Sequence, residues 1–95
     1  YSSTKSGIVG LTLSSAAELA QHNVLVNSVS PGFTLTDLTK QILGEEGMTE
    51  LSQQVPMKRL AEPSEISKVV MFVASNMNTY ISGQNIVVDG GFTNV

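Results

Sequence analysis

Two short runs rich in β-branched residues constrain this chain most: Val24-Leu25-Val26-Asn27-Ser28-Val29-Ser30 and Asn85-Ile86-Val87-Val88-Asp89. Each is too short for a core helix and too apolar for a solvated loop, so each reads as a buried strand. A long stretch of helical character separates them. Strands joined through helical length lie side by side in parallel, with a right-handed crossover expected between them. The fold class is therefore α/β, and the chain resembles the end of an open parallel sheet.

The order predicted around these strands is helix, strand, excursion, helix, strand. Residues 1–21 carry no proline and only Lys5 and Glu18 as charges, which predicts a helix. His22 suits its last turn and Asn23 a left-handed cap. Ser3, Gly7, Gly10, Ser14 and Ala17 form a stripe of small residues, and Val9, Leu13, Ala16 and Ala20 an opposite face. A helix apolar nearly all round is normally covered on several sides, more cover than 95 residues readily supply. Pro31-Gly32 stops the first strand. Short helices are expected near 37–43 and 48–54, interrupted by Gly44-Glu45-Glu46-Gly47. Glu62-Pro63-Ser64-Glu65 then starts a helix. Ile66, Val69, Val70 and Val73 give it a core face, and it is expected to end near 76–78, ahead of a turn at 79–83.

Hydrophobic residues make up 41% and charged residues 14%, so the composition is that of a packed domain. A net charge of -3 leaves no basic patch for nucleic acid or an anionic membrane. With no cysteine and the single histidine His22, no metal site is expected. The same composition fits the cytoplasm. The chain does not begin with Met, and it is expected to be part of a longer protein.

Tyr1 and Lys5 stand at i and i+4, where helical side chains meet. A phenol titrates near ~10, and an adjacent ammonium favours the phenolate and brings it toward the working range. Such a pair suits proton transfer to a carbonyl or alkoxide oxygen. Alone it is a weak signal, since ordinary surface residues meet the same spacing. Asn27-Ser28-Val29-Ser30-Pro31-Gly32 adds to it, at the C-terminal end of a predicted parallel strand, where open α/β sheets bind ligands. Thr34, Thr36 and Asp37 follow with hydrogen-bonding side chains.

Together these segments resemble the short-chain dehydrogenase/reductase family. Y-S-S-T-K is similar to its Tyr-x-x-x-Lys catalytic segment, N-S-V-S-P-G-F-T-L-T-D to its N-x-V-x-P-G-x-x-x-T segment, and S-G-Q-N-I-V-V-D-G-G-F to its closing strand. The resemblance covers essentially the whole chain. It implies the C-terminal part of a Rossmann-type doubly wound sheet, with 1–95 as one segment of a single domain and 37–57 as a substrate lid. It further implies an NAD(P)-dependent oxidoreductase interconverting a ketone and a secondary alcohol. Tyr1 would be the general acid/base, and Lys5 would lower its pKa and bind the nicotinamide ribose. Pro31 and Gly32 would wall the nicotinamide; Thr34 and Thr36 would contact its carboxamide or the pyrophosphate. Leu38, Ile42, Met48, Leu51 and Met57 could face the substrate, with simple packing the favoured reading for about half of them.

Other features take plainer readings. Arg59 is expected at the lid base or a subunit contact, with a pairing to Glu62 or Glu65 as the alternative. Asp89 is expected to satisfy turn amides. Gly90-Gly91 is no phosphate loop, because no helix start follows it. Glu45 and Glu46 are expected in solvent.

The family's Gly-rich phosphate loop, its NAD/NADP-selecting residue and its substrate-orienting serine have no counterpart among these 95 residues, so the chain alone is expected to be inactive. The partners implied are a small carbonyl or alcohol substrate, further copies in a dimer or tetramer, and the missing N-terminal half. Two alternatives stand beside this reading. One is a non-catalytic assembly unit. The other is a sugar-nucleotide epimerase or dehydratase, against which V-V-D-G-G-F favours the single-domain branch. For substrate, the chain resembles 3-oxoacyl carrier-protein reductases and sugar or alcohol dehydrogenases about equally.

Overall fold

The computed structural model describes residues 2–92. Its elements are α1 (Ser2–Leu19), β1 (Ser28–Pro31), α2 (Asp37–Gln54), α3 (Pro63–Ala74) and β2 (Asn85–Val88), in the order expected. The two strands form one sheet. Ser28 N donates to Gln84 O and Gly32 N to Val88 O, each at 2.9 Å. Donor and acceptor positions advance together along the chain, which is a parallel register. The chain divides into two compact units, Tyr1–Val29 with Val70–Ile86 and Ser30–Val69 with Val87–Val95.

In the first unit α1 buries Thr12 and Ala16, with Val9 and Leu19 half-buried at helical spacing beside them. The expected inner face therefore holds at Val9 and Ala16 but not at Leu13, which is 54% exposed, or at Ala20. Burial follows the residues one turn either side of Ala16, and Thr12 is tolerated there because its hydroxyl bonds Ile8 O at 2.8 Å. Gly7 and Gly10 of the small stripe lie open, with nothing within 4 Å of a built Cβ. The helix closes through a 3-10 turn, Ala20–His22, capped by Asn23 at φ 61° and ψ 34° as the sequence predicts.

The first strand starts at Ser28, not Val24, and this corrects the sequence reading. Side chains take several of the hydrogen bonds that a longer ladder would use, although Gly83 N still donates to Val26 O at 2.7 Å. Val26 N donates to Ser82 Oγ at 3.1 Å, while Asn27 donates to Ile81 O at 2.9 Å and accepts from Gln84 N at 3.1 Å. Asn78, 6% exposed, holds the turn before β2. Its Nδ2 donates to Val73 O at 2.9 Å and Ile81 O at 3.1 Å, and its Oδ1 accepts from Ile81 N at 2.8 Å.

In the second unit, α2 is broken at Gly44, whose φ of 65° and ψ of -180° are non-helical. The break is one residue wide: Gly47 is helical, so the second half starts earlier than the predicted 48. Pro63 opens α3, and Glu65 Oε1 accepts from Glu62 N at 2.9 Å, satisfying an amide at the helix start. The helix stops at Ala74, short of the expected 76–78. On its expected core face Ile66 and Val69 are half-buried. Farther along, where α3 belongs to the first unit, Val73 is half-buried and Val70 is 46% exposed. The second unit's core is small and centres on Val55 and Leu60, 3% and 8% exposed.

Candidate functional site

Pro31 ends β1, and Gly32 to Thr36 lead from the strand's C-terminal end to α2. Three backbone bonds fix this segment. Ala61 N donates to Phe33 O at 3.0 Å, Leu35 N to Ala61 O at 2.8 Å, and Thr36 N to Thr34 O at 3.0 Å. The Thr34 hydroxyl donates to Gly32 O at 3.1 Å, so its oxygen can still accept from a donor. Thr36 is extended, at φ -108° and ψ 164°, and its Oγ1 accepts from Thr39 N at 3.1 Å as the N-cap of α2. The Thr36 and Thr39 hydroxyls lie 2.8 Å apart; when Thr39 donates, the Thr36 proton is available to an anion.

Beside this segment Phe33, Thr34, Leu38, Thr39, Ile42, Leu43 and Leu51 line a cavity of about 280 Å³. Three of the five expected lid contacts, Leu38, Ile42 and Leu51, are thus brought together. Met48 and Met57 are not among them; they line separate depressions. Position along the chain could not separate these sets, because the break at Gly44 resets the helical phase between them. Phe33 was not singled out in the sequence reading, yet it lines this cavity and a second one of about 120 Å³ with Val55, Ala61, Val88 and Gly90. Its place directly after Pro31-Gly32 is the signal that could have found it.

Arg59 takes the alternative role considered for it. Its guanidinium makes a two-pronged pair with Glu65 at 2.6 and 2.8 Å. The Arg59 hydrogen bond first, then the Glu62 amide, hold the Glu65 carboxyl down at about 2. Asp89 Oδ1 accepts from Gly91 N at 3.0 Å, the turn-closing role expected of it. Glu45 and Glu46 are exposed. Tyr1 and the Lys5 side chain lie outside the described residues; the Lys5 backbone belongs to the start of α1. Among the described residues no group of three metal-ligating side chains occurs, and no helix is long and apolar enough to cross a membrane.

A strand-end loop leading into a capped helix, beside an apolar cavity and a parallel strand pair, defines an α/β protein with its candidate site at the sheet's C-terminal edge. Residues 1–93 match the family model described as "Enoyl-(Acyl carrier protein) reductase". The 3-oxoacyl-[acyl-carrier-protein] reductase FabG of Aquifex aeolicus is 47% identical over 91 residues, which are 96% of this chain and 36% of that protein. A short chain dehydrogenase family protein from Francisella tularensis superposes with a TM-score of 0.92 at 30% identity, over all of this chain and 43% of its own. The structure "ElxO with NADP Bound" gives 0.90 at 30% identity, over 98% of this chain and 38% of its own. The chain belongs to the short-chain dehydrogenase/reductase family. It spans about a third of the length of the curated relatives it matches, 36% for the Aquifex protein.

Proposed function

We propose that these residues form the C-terminal part of a Rossmann-type domain in an NAD(P)-dependent oxidoreductase that interconverts a ketone and a secondary alcohol. The observation that carries this reading is the segment Pro31–Thr36 at the C-terminal end of a parallel strand, with one hydroxyl able to accept and another able to donate. That donor set fits a nicotinamide dinucleotide: Thr34 would accept from the carboxamide and Thr36 would donate to a pyrophosphate oxygen, while Pro31 and Gly32 would wall the ring. A dinucleotide held by these residues would supply hydride, and the related ElxO has been solved with NADP bound. Tyr1 moves the proton at the substrate oxygen, and Lys5 keeps its phenol near the working range and binds the ribose.

Residues 37–57 act as the substrate lid. The apolar cavity of Leu38, Ile42, Leu43 and Leu51 favours an acyl chain over a polyol, in keeping with the 3-oxoacyl substrate in the Aquifex reductase's name. Tyr1→Phe in the full-length protein is expected to lower kcat by two or more orders of magnitude, as loss of a general acid does, while leaving dinucleotide affinity in place. NAD(P)H oxidation and cofactor titration measure both, and retained turnover would overturn the role given to Tyr1.

A second reading, an assembly unit, has its own observation. Ile8, Leu11 and Leu13 on α1 are 51%, 68% and 54% exposed, and Met71 on α3 is 70% exposed. These faces suit contact with further copies or with the rest of a longer chain.

A further inference from the structure

We propose that the turn Asp89-Gly90-Gly91 is a positioning clasp that sets where the base of the lid stands against the strand end carrying Pro31 and Gly32. The proposal rests on the roles given above to that strand end and to residues 37–57.

One short turn touches both parts so closely that a side chain at Gly32 or Gly90 would force a neighbour to shift, and one at Gly91 would crowd Pro56. A Cβ at Gly32 would lie 2.6 Å from Asp89 Cβ and 2.8 Å from Asp89 Cα. At Gly90 it would lie 2.8 Å from Val55 Cγ1 and 3.4 Å from Met57 Cβ; at Gly91 it would lie 3.2 Å from Pro56 Cγ. The three glycines thus let the turn pack against β1's end and against Val55, Pro56 and Met57 in succession. Hydrogen bonds fix both contacts: Gly32 N donates to Val88 O at 2.9 Å, and Met57 N to Gly90 O at 3.2 Å. Phe92, just past the turn, meets Phe33 edge to face at 4.9 Å between ring centres. Val55, the residue under Gly90, is the most buried apolar side chain described, at 3% exposure. Its position therefore cannot change without moving the turn.

A plainer account is that Gly90 and Gly91 serve only their own backbone, with φ of 63° and 92°. The two accounts differ at Val55. If Gly90 keeps space for the lid base, then trimming Val55 removes the atom that an added Cβ would strike. If Gly90 serves only its φ, trimming Val55 changes nothing.

The experiment uses the full-length protein with acetoacetyl-coenzyme A and NADPH as probes, and hydrogen–deuterium exchange at the Met57 amide as a readout independent of turnover. Gly90→Ala is expected to raise KM for the carbonyl probe roughly tenfold or more, with kcat and the KM for NADPH changed by less than about threefold. Exchange at Met57 should quicken in parallel. Adding Val55→Ala should bring KM to within about threefold of the Val55→Ala protein and slow Met57 exchange again. An unchanged KM in Gly90→Ala, or no recovery in the double variant, overturns the clasp. If Gly90→Ala fails to fold, the double variant must fold, and its failure overturns the clasp too. If the wild-type protein does not turn over the probe, the acyl-substrate reading is at fault, and Met57 exchange alone decides the clasp.

Discussion

Glu65 does three things with one carboxylate: it accepts both prongs of Arg59 and the amide of Glu62. The Arg59 guanidinium and the Glu62 amide hold it down at about 2, below the ordinary carboxyl value of 4.5. A depressed carboxyl contributes stability above its unfolded pKa, and that contribution is lost as pH falls through the folded value. The window is therefore from about 4.5 down to about 2. The pair is solvent-exposed, so the effect is small and screened by salt. Glu65→Gln is expected to lower stability slightly at neutral pH, where the charged pair is intact, to make no difference near pH 2, and so to flatten the acid limb of the stability curve in that window, as urea titrations at stepped pH would measure. The sequence left Arg59 with four destinations, the lid base, a subunit contact, Glu62 and Glu65, because both carboxylates are within reach along the chain. The start of α3 decided between them by turning the Glu65 carboxylate back toward Glu62 N.

Among the elements, α2 is the one whose shape depends on a single residue. Gly44 stands at φ 65° and ψ -180°, a conformation essentially confined to glycine, in open space with nothing within 4 Å of a built Cβ. Gly44→Ala is therefore expected to cost about 1–3 kcal/mol through backbone strain alone. Relief of that strain by a helical backbone at position 44 would straighten the helix and draw Leu38 and Ile42 out of the cavity they share with Leu51. Thermal denaturation with a KM measurement for an acyl substrate would show both effects; a stabilised protein with unchanged KM would exclude them. The break was legible in Gly44-Glu45-Glu46-Gly47, but not its width, since either glycine could have carried it. The strand start at Ser28 was less legible. Val24-Leu25-Val26 has strand composition, and only the distant Ser82 and Gly83 turn those residues away from the ladder.

For the molecule as a whole, cover is what the chain lacks. Among the described residues no side chain is fully buried, and Leu11 on α1 is 68% exposed. The matched relatives are roughly three times as long, the Aquifex reductase being covered over 36% of its length. The 95-residue chain by itself is accordingly expected to show no NAD(P)H oxidation and to associate or aggregate through α1. Light scattering and an assay on the same sample, beside the full-length protein, would test this; turnover by the short chain alone would refute it. The α/β class, the element order, the Asn23 cap, the Pro63 start and the family were all determined by the sequence itself. Those signals are local: period, caps and short motifs need only neighbouring residues. Tertiary structure alone decided that Gly32, Gly90 and Gly91 meet Asp89, Val55 and Pro56, and that Phe33 joins Leu38, Ile42 and Leu51. The glycine contacts join residues far apart in sequence at distances of a few ångströms, and the cavity joins residues from both sides of the break at Gly44. Close packing in three dimensions specifies such contacts, and no pattern along one dimension encodes them.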